Sequence, residues 1–248
     1  MKYLFSLCLA VTIISPAAAQ NEAFTGKIFT AEGTVKYLKD GSATWLPVKV
    51  PQLLEIGDKV KTGPGSKAEL YIKYGSKIRL GANSIFVLNK VGPRENSVEM
   101  LLGRMQAWIR KTADRKFTVR TPSAVCAVRG TVFEVEVGES GQTVWNLFSG
   151  VIRVSDSHNN SVTLAPNQQL AVTKEKGVEQ PAQIPAQVKP PEEPKQLIKE
   201  EISEVKVEQI AAAKAEEQAK AAAQEPPPTT VIETKVVEES MEVSGSTP

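Results

Sequence analysis

Side chains suited to nucleophilic, redox or metal chemistry are scarce in this 248-residue chain. His158 is its one histidine, and Cys126 is the one cysteine besides Cys8. A single histidine excludes a multi-histidine metal centre, and Cys126 by itself excludes a cysteine zinc cluster. His158 lies in Ser157-His158-Asn159-Asn160, a polar turn where an imidazole meets solvent. Cys126 lies in the apolar run Val125-Cys126-Ala127-Val128, where a free thiol packs as a small hydrophobe. Asp58, Asp114, Glu134, Glu136 and Asp156 are available carboxylates. Glycoside hydrolysis needs two of them flanking a cleft, and the spacing pairs none. Gly63-Pro64-Gly65-Ser66-Lys67 has some letters of a phosphate-binding loop but not its spacing, and no G-x-S-x-G elbow occurs. Trp45, Trp108 and Trp145 are candidates for stacking on a sugar, although packing is the expected role of isolated tryptophans in strands. No catalytic residue, cofactor or metal ligand is therefore assigned, and the chain reads as non-enzymatic.

The positions that stand out instead are turn-formers and their neighbours. Gly57-Asp58 and Thr62-Gly63 bracket a short strand, and Gly75-Ser76 separates two others. Glycine there suits positive φ at turns. Thr121-Pro122 ends Phe117–Arg120, since proline removes a backbone donor from the ladder. Arg129-Gly130-Thr131 then precedes Val132-Phe133, with Gly130 expected at a bulge or a close backbone approach. Arg129 is either an internal ion-pair partner or a surface contact, and the internal role is favoured.

The elements that must position these residues are strands. Segments 69–73, 77–80, 85–88, 98–102, 117–120, 132–137, 144–147, 151–154 and 162–164 are short and strand-like, with turn signals between them. That spacing predicts an all-β fold of stacked short strands, solenoid-like or sandwich. A weak echo supports stacking: Leu102-Gly103-Arg104 and Ser149-Gly150-Val151 each set a glycine between two strands.

At the turn positions the sequence resembles the FecR domain. The pattern L-x-x-G-D-x-V-x-T-G falls on Leu54, Gly57, Asp58, Val60, Thr62 and Gly63; G-S-x-I-x-L falls on Gly75, Ser76, Ile78 and Leu80. T-P-x-A-x-x-x-V-R-G-T-x-F-x-V falls on Thr121, Pro122, Ala124, Val128, Arg129, Gly130, Thr131, Phe133 and Val135. The resemblance spans roughly residues 33–172. It implies an all-β extracytoplasmic domain, which in its best-known members belongs to an inner-membrane anti-sigma regulator relaying a signal from an outer-membrane transporter.

The two ends of the chain differ from this body. Lys2, the apolar run Leu4–Ile14 and Ala17-Ala18-Ala19 match a signal peptide cleaved after Ala19, with too few apolar residues to span a bilayer. The expected division is a signal peptide at 1–19, the β domain at 20–178, a proline-rich extended linker at 179–194, a helix at 195–225 and a disordered tail at 226–248. In the helix, Ile198, Ile202, Val205 and Gln209 make a thin stripe. Residues 21–178 hold 22 Lys/Arg against 14 Asp/Glu, net +8; residues 179–248 hold 7 against 14, net −7.

A basic body with an acidic tail suggests either a tail folded back on its own body or a basic surface for an anionic partner. The expected function is an exported, periplasmic or secreted, cell-envelope binding or scaffold module. Its expected partner is an envelope protein or an anionic glycan rather than nucleic acid. The alternative is a periplasmic signalling component working with a separate membrane regulator or outer-membrane transporter.

Overall fold

Alternating strand residues and the glycines between them produce a chain that zigzags between two sheets. The computed structural model describes residues 24–112 and 114–224. The expected signal peptide and the tail beyond residue 224 lie outside the described residues.

Sheet A is built from β1 (Gly26–Glu32), β4 (Gln52–Leu54), β6 (Lys67–Ile72), β7 (Ser76–Leu80), the second half of β9 (Glu95–Ile109), β12 (Val132–Val137), β13 (Thr143–Ser149) and β16 (Gln168–Thr173). Its order is β4-β1-β6-β7-β9-β12-β13-β16, antiparallel throughout. Sheet B is built from β2 (Val35–Leu38), β3 (Leu46–Pro47), β5 (Lys59–Thr62), β8 (Ile85–Lys90), the first half of β9, β10 (Lys116–Arg120), β11 (Ala124–Val128), β14 (Ile152–Asp156) and β15 (Ser161–Leu164). Its order is β3-β2-β5-β8-β9-β10-β11-β14-β15, antiparallel except for the parallel pair β9–β10.

The expected all-β fold is thus present, and the solenoid and sandwich readings meet in it. Each layer has one arm in each sheet, and the layers stack, but the chain doubles back rather than coiling. The echo in the sequence marks two of the corners. At Gly103 (φ +86°) β9 passes from sheet B to sheet A, and at Gly150 (φ +87°) the chain returns from β13 to β14. A side chain at Gly103 would run into Ser84, so only glycine fits this sheet-switching bend.

Inward residues of both sheets form one hydrophobic core, including Leu70, Ile78 and Phe133 from sheet A and Phe86, Val119 and Cys126 from sheet B. Cys126 is buried as expected, and burial raises its thiol pKa well above the ordinary value, which keeps it un-ionised. Trp145 is fully buried and packs against Phe133 with ring centroids 6.0 Å apart. His158 is exposed in the turn between β14 and β15.

The segment expected to be an extended linker is instead laid on the body. β17 (Gly177–Val178) and β18 (Ala182–Gln183) pair with β16, and Ile184 N donates to Asn167 O at 3.1 Å. The helix α1 (Lys195–Gln224) follows, favoured by its Ala, Glu, Lys and Gln content. Pro194 O accepts from Leu197 N at 3.1 Å and opens the helix. Among the described residues the chain divides into two units after Val205, so the first turns of α1 belong with the β body.

Candidate functional site

The outer face of sheet A carries a polar ladder in continuous register. Glu69, Arg79, Gln106, Glu134, Asn146 and Gln169 stand opposite one another across β6, β7, β9, β12, β13 and β16. Each touches the next. Arg79 Nε donates to Glu69 Oε1 at 2.9 Å, and its Nη1 reaches Gln106 Oε1 at 3.4 Å. Gln106 Nε2 donates to Glu134 Oε2 at 2.8 Å, Asn146 Nδ2 to Glu134 Oε1 at 3.4 Å, and Gln169 Nε2 to Asn146 Oδ1 at 2.7 Å. Cross-strand pairs of this kind contribute about 0.2–1 kcal/mol each. Glu69, Glu134 and Asn146 are nonetheless buried, which demands that such groups be hydrogen-bonded.

The row beside it runs Tyr71, Lys77, Trp108, Val132 and Ser149. Trp108 is 5 % exposed, with the Arg79 guanidinium 5.3 Å from its ring centroid. The residues after β18 lie against these rows. Arg79 Nη1 donates to Glu192 O at 3.1 Å, and Lys77 Nζ meets Glu193 Oε1 at 2.5 Å. Lys77 also pairs with Glu201. Arg110 lies 3.7 Å from Glu201 and 3.8 Å from Glu204. Glu204 accepts from the Tyr71 hydroxyl and, at 2.6 Å, from Tyr74 N. Burial, the bond to Glu204 and the charges of Glu204 and Glu201 all raise the Tyr71 pKa, so its hydroxyl stays a donor. Leu197 is fully buried at the same docking site.

α1 presents the stripe expected from its sequence only in part: Ile198 and Val205 are half-buried, and Gln209 is exposed. Leu197, Glu201 and Glu204 face the body, whereas Ile202 is 51 % exposed. Opposite charge on Lys77 and Arg110 contributes to how the helix docks, a signal that apolar periodicity does not contain.

Beyond Arg110 the body ends in a cluster of cations. Arg110, Arg115, Lys116 and Arg129 line one cleft together with Tyr74, Ser76 and Gly130. Its free space is only about 10 Å³, room for about one water. These cations form a surface rather than a small-molecule cavity. An adjoining groove of about 210 Å³ shares Ile109, Arg110 and Gly130 and adds Lys77, Trp108, Lys111 and Glu193 among its walls.

The motif residues divide between folding and this basic end. Asp58 is buried and accepts from Asp40 N and Glu55 N, each at 2.9 Å, beside Gly57 (φ +94°). Thr62 Oγ1 donates to Gly81 O at 2.6 Å and accepts from Ser84 N at 2.8 Å, while Gly63 N donates to Thr34 O at 2.9 Å. Thr121 Oγ1 accepts from Ala124 N at 3.1 Å and bonds Thr143 Oγ1 at 3.0 Å, next to Pro122. Thr131 and Phe133 are buried.

Ser76, Arg129 and Gly130, by contrast, meet in the cleft, and Gly75 packs so tightly on Arg110 that an added Cβ would sit 2.6 Å from Nε. Gly130 is a close approach as expected, with a would-be Cβ colliding with Lys111. Arg129, for which an internal ion pair was favoured over a surface contact, is exposed. Alternation explains it: Ala124, Cys126 and Val128 point inward, so the next odd position points out.

The remaining candidates do not line the basic cleft, although Asp114 directly precedes Arg115. Trp45 is half-buried beside a pocket of about 190 Å³ shared with Thr34, Lys36, Lys61 and Gly63. Glu136 pairs with Arg104 at 3.0 Å, and Asp114 is exposed. Asp156 is buried and accepts from His158 N, Asn160 N, Asn160 Nδ2 and Val178 N. Among the described residues no group of three or more His, Cys, Asp or Glu is placed to hold a metal ion.

Residues 58–153 match the model of the family described as FecR protein. The chain carries a FecR domain. The match begins at the buried turn residue Asp58 and ends on β14, so the FecR domain includes the polar ladder from Glu69 to Asn146 and all four cleft cations. Two crystal structures of a candidate anti-sigma factor from Parabacteroides distasonis ATCC 8503, at 1.65 and 2.50 Å resolution, are similar to it. Each shares 22 % identity with a TM-score of 0.47, covering 52 % of this chain and 61 % of the other. The chain thus spans under two thirds of the length of those structures. No curated protein matches it. No helix among the described residues is long and apolar enough to cross a membrane.

Proposed function

We propose that this chain is an exported, non-enzymatic binding module of the cell envelope whose FecR domain receives an acidic protein partner at its basic end. The observation that carries the reading is the convergence of Arg110, Arg115, Lys116 and Arg129 on one cleft too small for a metabolite. Such a surface acts by electrostatic complementarity, which sets partner choice and association rate. Of the two partner classes expected from the sequence, protein is favoured, because the neighbouring face already accommodates a polypeptide through Lys77, Arg79 and Arg110. Export is supported by the signal-peptide pattern of residues 1–19. The FecR match over residues 58–153 favours a second form of the same reading, in which the partner is a membrane regulator or outer-membrane transporter and the binding event carries a signal.

Cross-linking in intact cells, followed by partner identification, tests it. Lys116→Glu with Arg129→Glu reverses two exposed cleft charges. The cross-linked product is expected to fall about tenfold or more, and retention of purified protein on solubilised envelope to disappear above about 0.5 M salt. Retention that is unchanged by both the double variant and salt sinks the proposal.

A further inference from the structure

The docking of α1 buries carboxylates together with apolar residues. A surface helix gains most by burying its apolar residues and leaving carboxylates in water. Here Ile202 is 51 % exposed, while the Glu201 and Glu204 side chains are 15 % and 12 % exposed against Lys77 and Arg110. Leu197 is fully buried beside them, and Ile198 and Val205 are half-buried. Buried ion pairs give geometry and specificity more readily than net stability, because desolvation offsets much of the attraction. A contact made this way is selective yet exchangeable.

The surface that receives the acids is fully formed within the β body. Lys77 projects from β7 and Tyr71 from β6, Tyr74 N opens from their hairpin, and Arg110 follows β9 against Gly75. Each acid meets more than one donor: Glu201 meets Lys77 and Arg110, and Glu204 meets the Tyr71 hydroxyl, Tyr74 N and Arg110. Glu193, ahead of the helix, takes the other side of Lys77. Arg110 belongs both to this surface and to the basic cleft, so the two are continuous.

We infer that residues 191–205 are an internal stand-in on a receptor face for an acidic helical segment of the partner protein. The segment recognised has a proline entry, one leucine-like anchor and two carboxylates one helical turn apart, as in Pro194, Leu197, Glu201 and Glu204. While the chain's own segment is bound, the face is closed; a partner that supplies the same groups displaces it. This rests on the basic end being the partner surface, and it adds the form of the partner and a built-in competitor.

The test uses the full chain, a Glu201→Gln, Glu204→Gln variant, and a labelled peptide with the sequence of residues 190–208 as the probe. In the variant, amides of residues 195–205 are expected to exchange at least about tenfold faster while β10 and β11 keep their protection. The variant is expected to bind the peptide about tenfold more tightly than the unaltered chain, because its internal competitor is weakened. Adding Lys77→Glu is expected to abolish that binding.

Equal peptide affinity in the two chains overturns the inference, as does unchanged protection of residues 195–205. A concentration-dependent dimer of the variant by light scattering, without peptide uptake, also overturns it, since the occupant is then a second copy. Should the variant lose its β-sheet circular dichroism, a protease site placed at Gln187-Val188 and cut after folding replaces it. Release of the cut helical fragment within minutes at about 0.5 M salt supports exchange, and retention overturns it. Because these readouts need no envelope partner, they separate failure of this inference from failure of the proposed function.

Discussion

The two sheets share one core but differ on their outer faces. On sheet B, β11 alternates cleanly, with Ala124, Cys126 and Val128 buried and Val125 and Ala127 exposed. β10 and β14 repeat the alternation. On sheet A, β6 is buried at every position after Lys67, and β7 at every position except Arg79. The outward residues of sheet A are as polar as those of a solvated strand: Glu69, Lys77, Gln106, Glu134 and Asn146. Around Lys77 and Arg79 a remote part of the same chain lies on this face. Alternation reports which side of a strand faces the core, and it is silent on whether the other side is later covered.

The contrast is broken most severely by removing the anchor of the cover. Leu197 is fully buried, and Leu197→Ala is expected to cost about 2–4 kcal/mol through lost transfer energy and the cavity left behind. Urea denaturation measures it. Trp108, 5 % exposed on the covered face, should shift its emission to the red, while amides of β10 and β11 in sheet B keep their protection. A cost under about 0.5 kcal/mol means that the cover adds nothing to the stability of sheet A.

A smaller loss is expected inside the ladder. Glu134 accepts from Gln106 and Asn146 at 2.8 and 3.4 Å. Glu134→Ala leaves the buried Asn146 and the half-buried Gln106 without their acceptor, and an orphaned buried group costs about 1–3 kcal/mol. Glu134→Gln keeps one acceptor oxygen and should cost less than Glu134→Ala by the same urea measurement. Equal losses for the two variants show that the ladder acts by packing volume rather than by hydrogen bonding.

What the sequence revealed follows the same divide. The strands were legible because burial on the core side imposes a period of two, and the corners because Gly103 and Gly150 must adopt positive φ. The outward direction of Arg129 was also legible, by extending the β11 alternation one residue past Val128. The cover was not. Pro181, Pro185, Pro190, Pro191 and Pro194 read as a linker because proline cannot donate to a ladder, yet the residues between them pair with β16, and Glu192 O and Glu193 accept from Arg79 and Lys77. The helix face was read only in part for a related reason. The stripe of Ile198, Ile202, Val205 and Gln209 takes no account of charge, whereas the docked helix also carries Glu201 and Glu204, which meet cations more than 90 positions earlier in the chain. The basic half and acidic half of the charge pattern pointed to such a fold-back, without naming its residues.

Asp156 offers a pH test at the junction of the sheets. It ends β14 in sheet B, and its Oδ2 accepts from Val178 N of β17 in sheet A at 3.0 Å. Burial raises its pKa, but the bonds from Val178 N, the Asn160 side chain and backbone, and His158 N outweigh this and pull it down to about 2. A depressed folded value means that the carboxylate stabilises the fold above its unfolded pKa of about 3.9, and that this is lost as pH falls towards 2. Exchange protection of Val178 is expected to fall across that interval in the unaltered chain. In Asp156→Asn it is expected to be low already at neutral pH and flat below it. A pH-independent Val178 in the unaltered chain would show that the junction does not depend on this charge.

The smallest effect is expected on the open face. Val125 is 38 % exposed on β11 and stands opposite Arg120 on β10. Val125→Glu places a carboxylate beside that guanidinium in water, where cross-strand pairing and screening leave a change within about 0.5 kcal/mol. A carboxylate is thus tolerated at a solvated position of sheet B, whereas the native carboxylate of Glu134 cannot be removed from sheet A without loss. Finding Val125→Glu destabilising by more than about 1 kcal/mol, in the same urea series as Glu134→Ala, would mean that sheet B also receives a cover in solution. The asymmetry between the faces would then belong to the isolated chain, and the search for a partner surface would have to include β10 and β11 as well as the basic end.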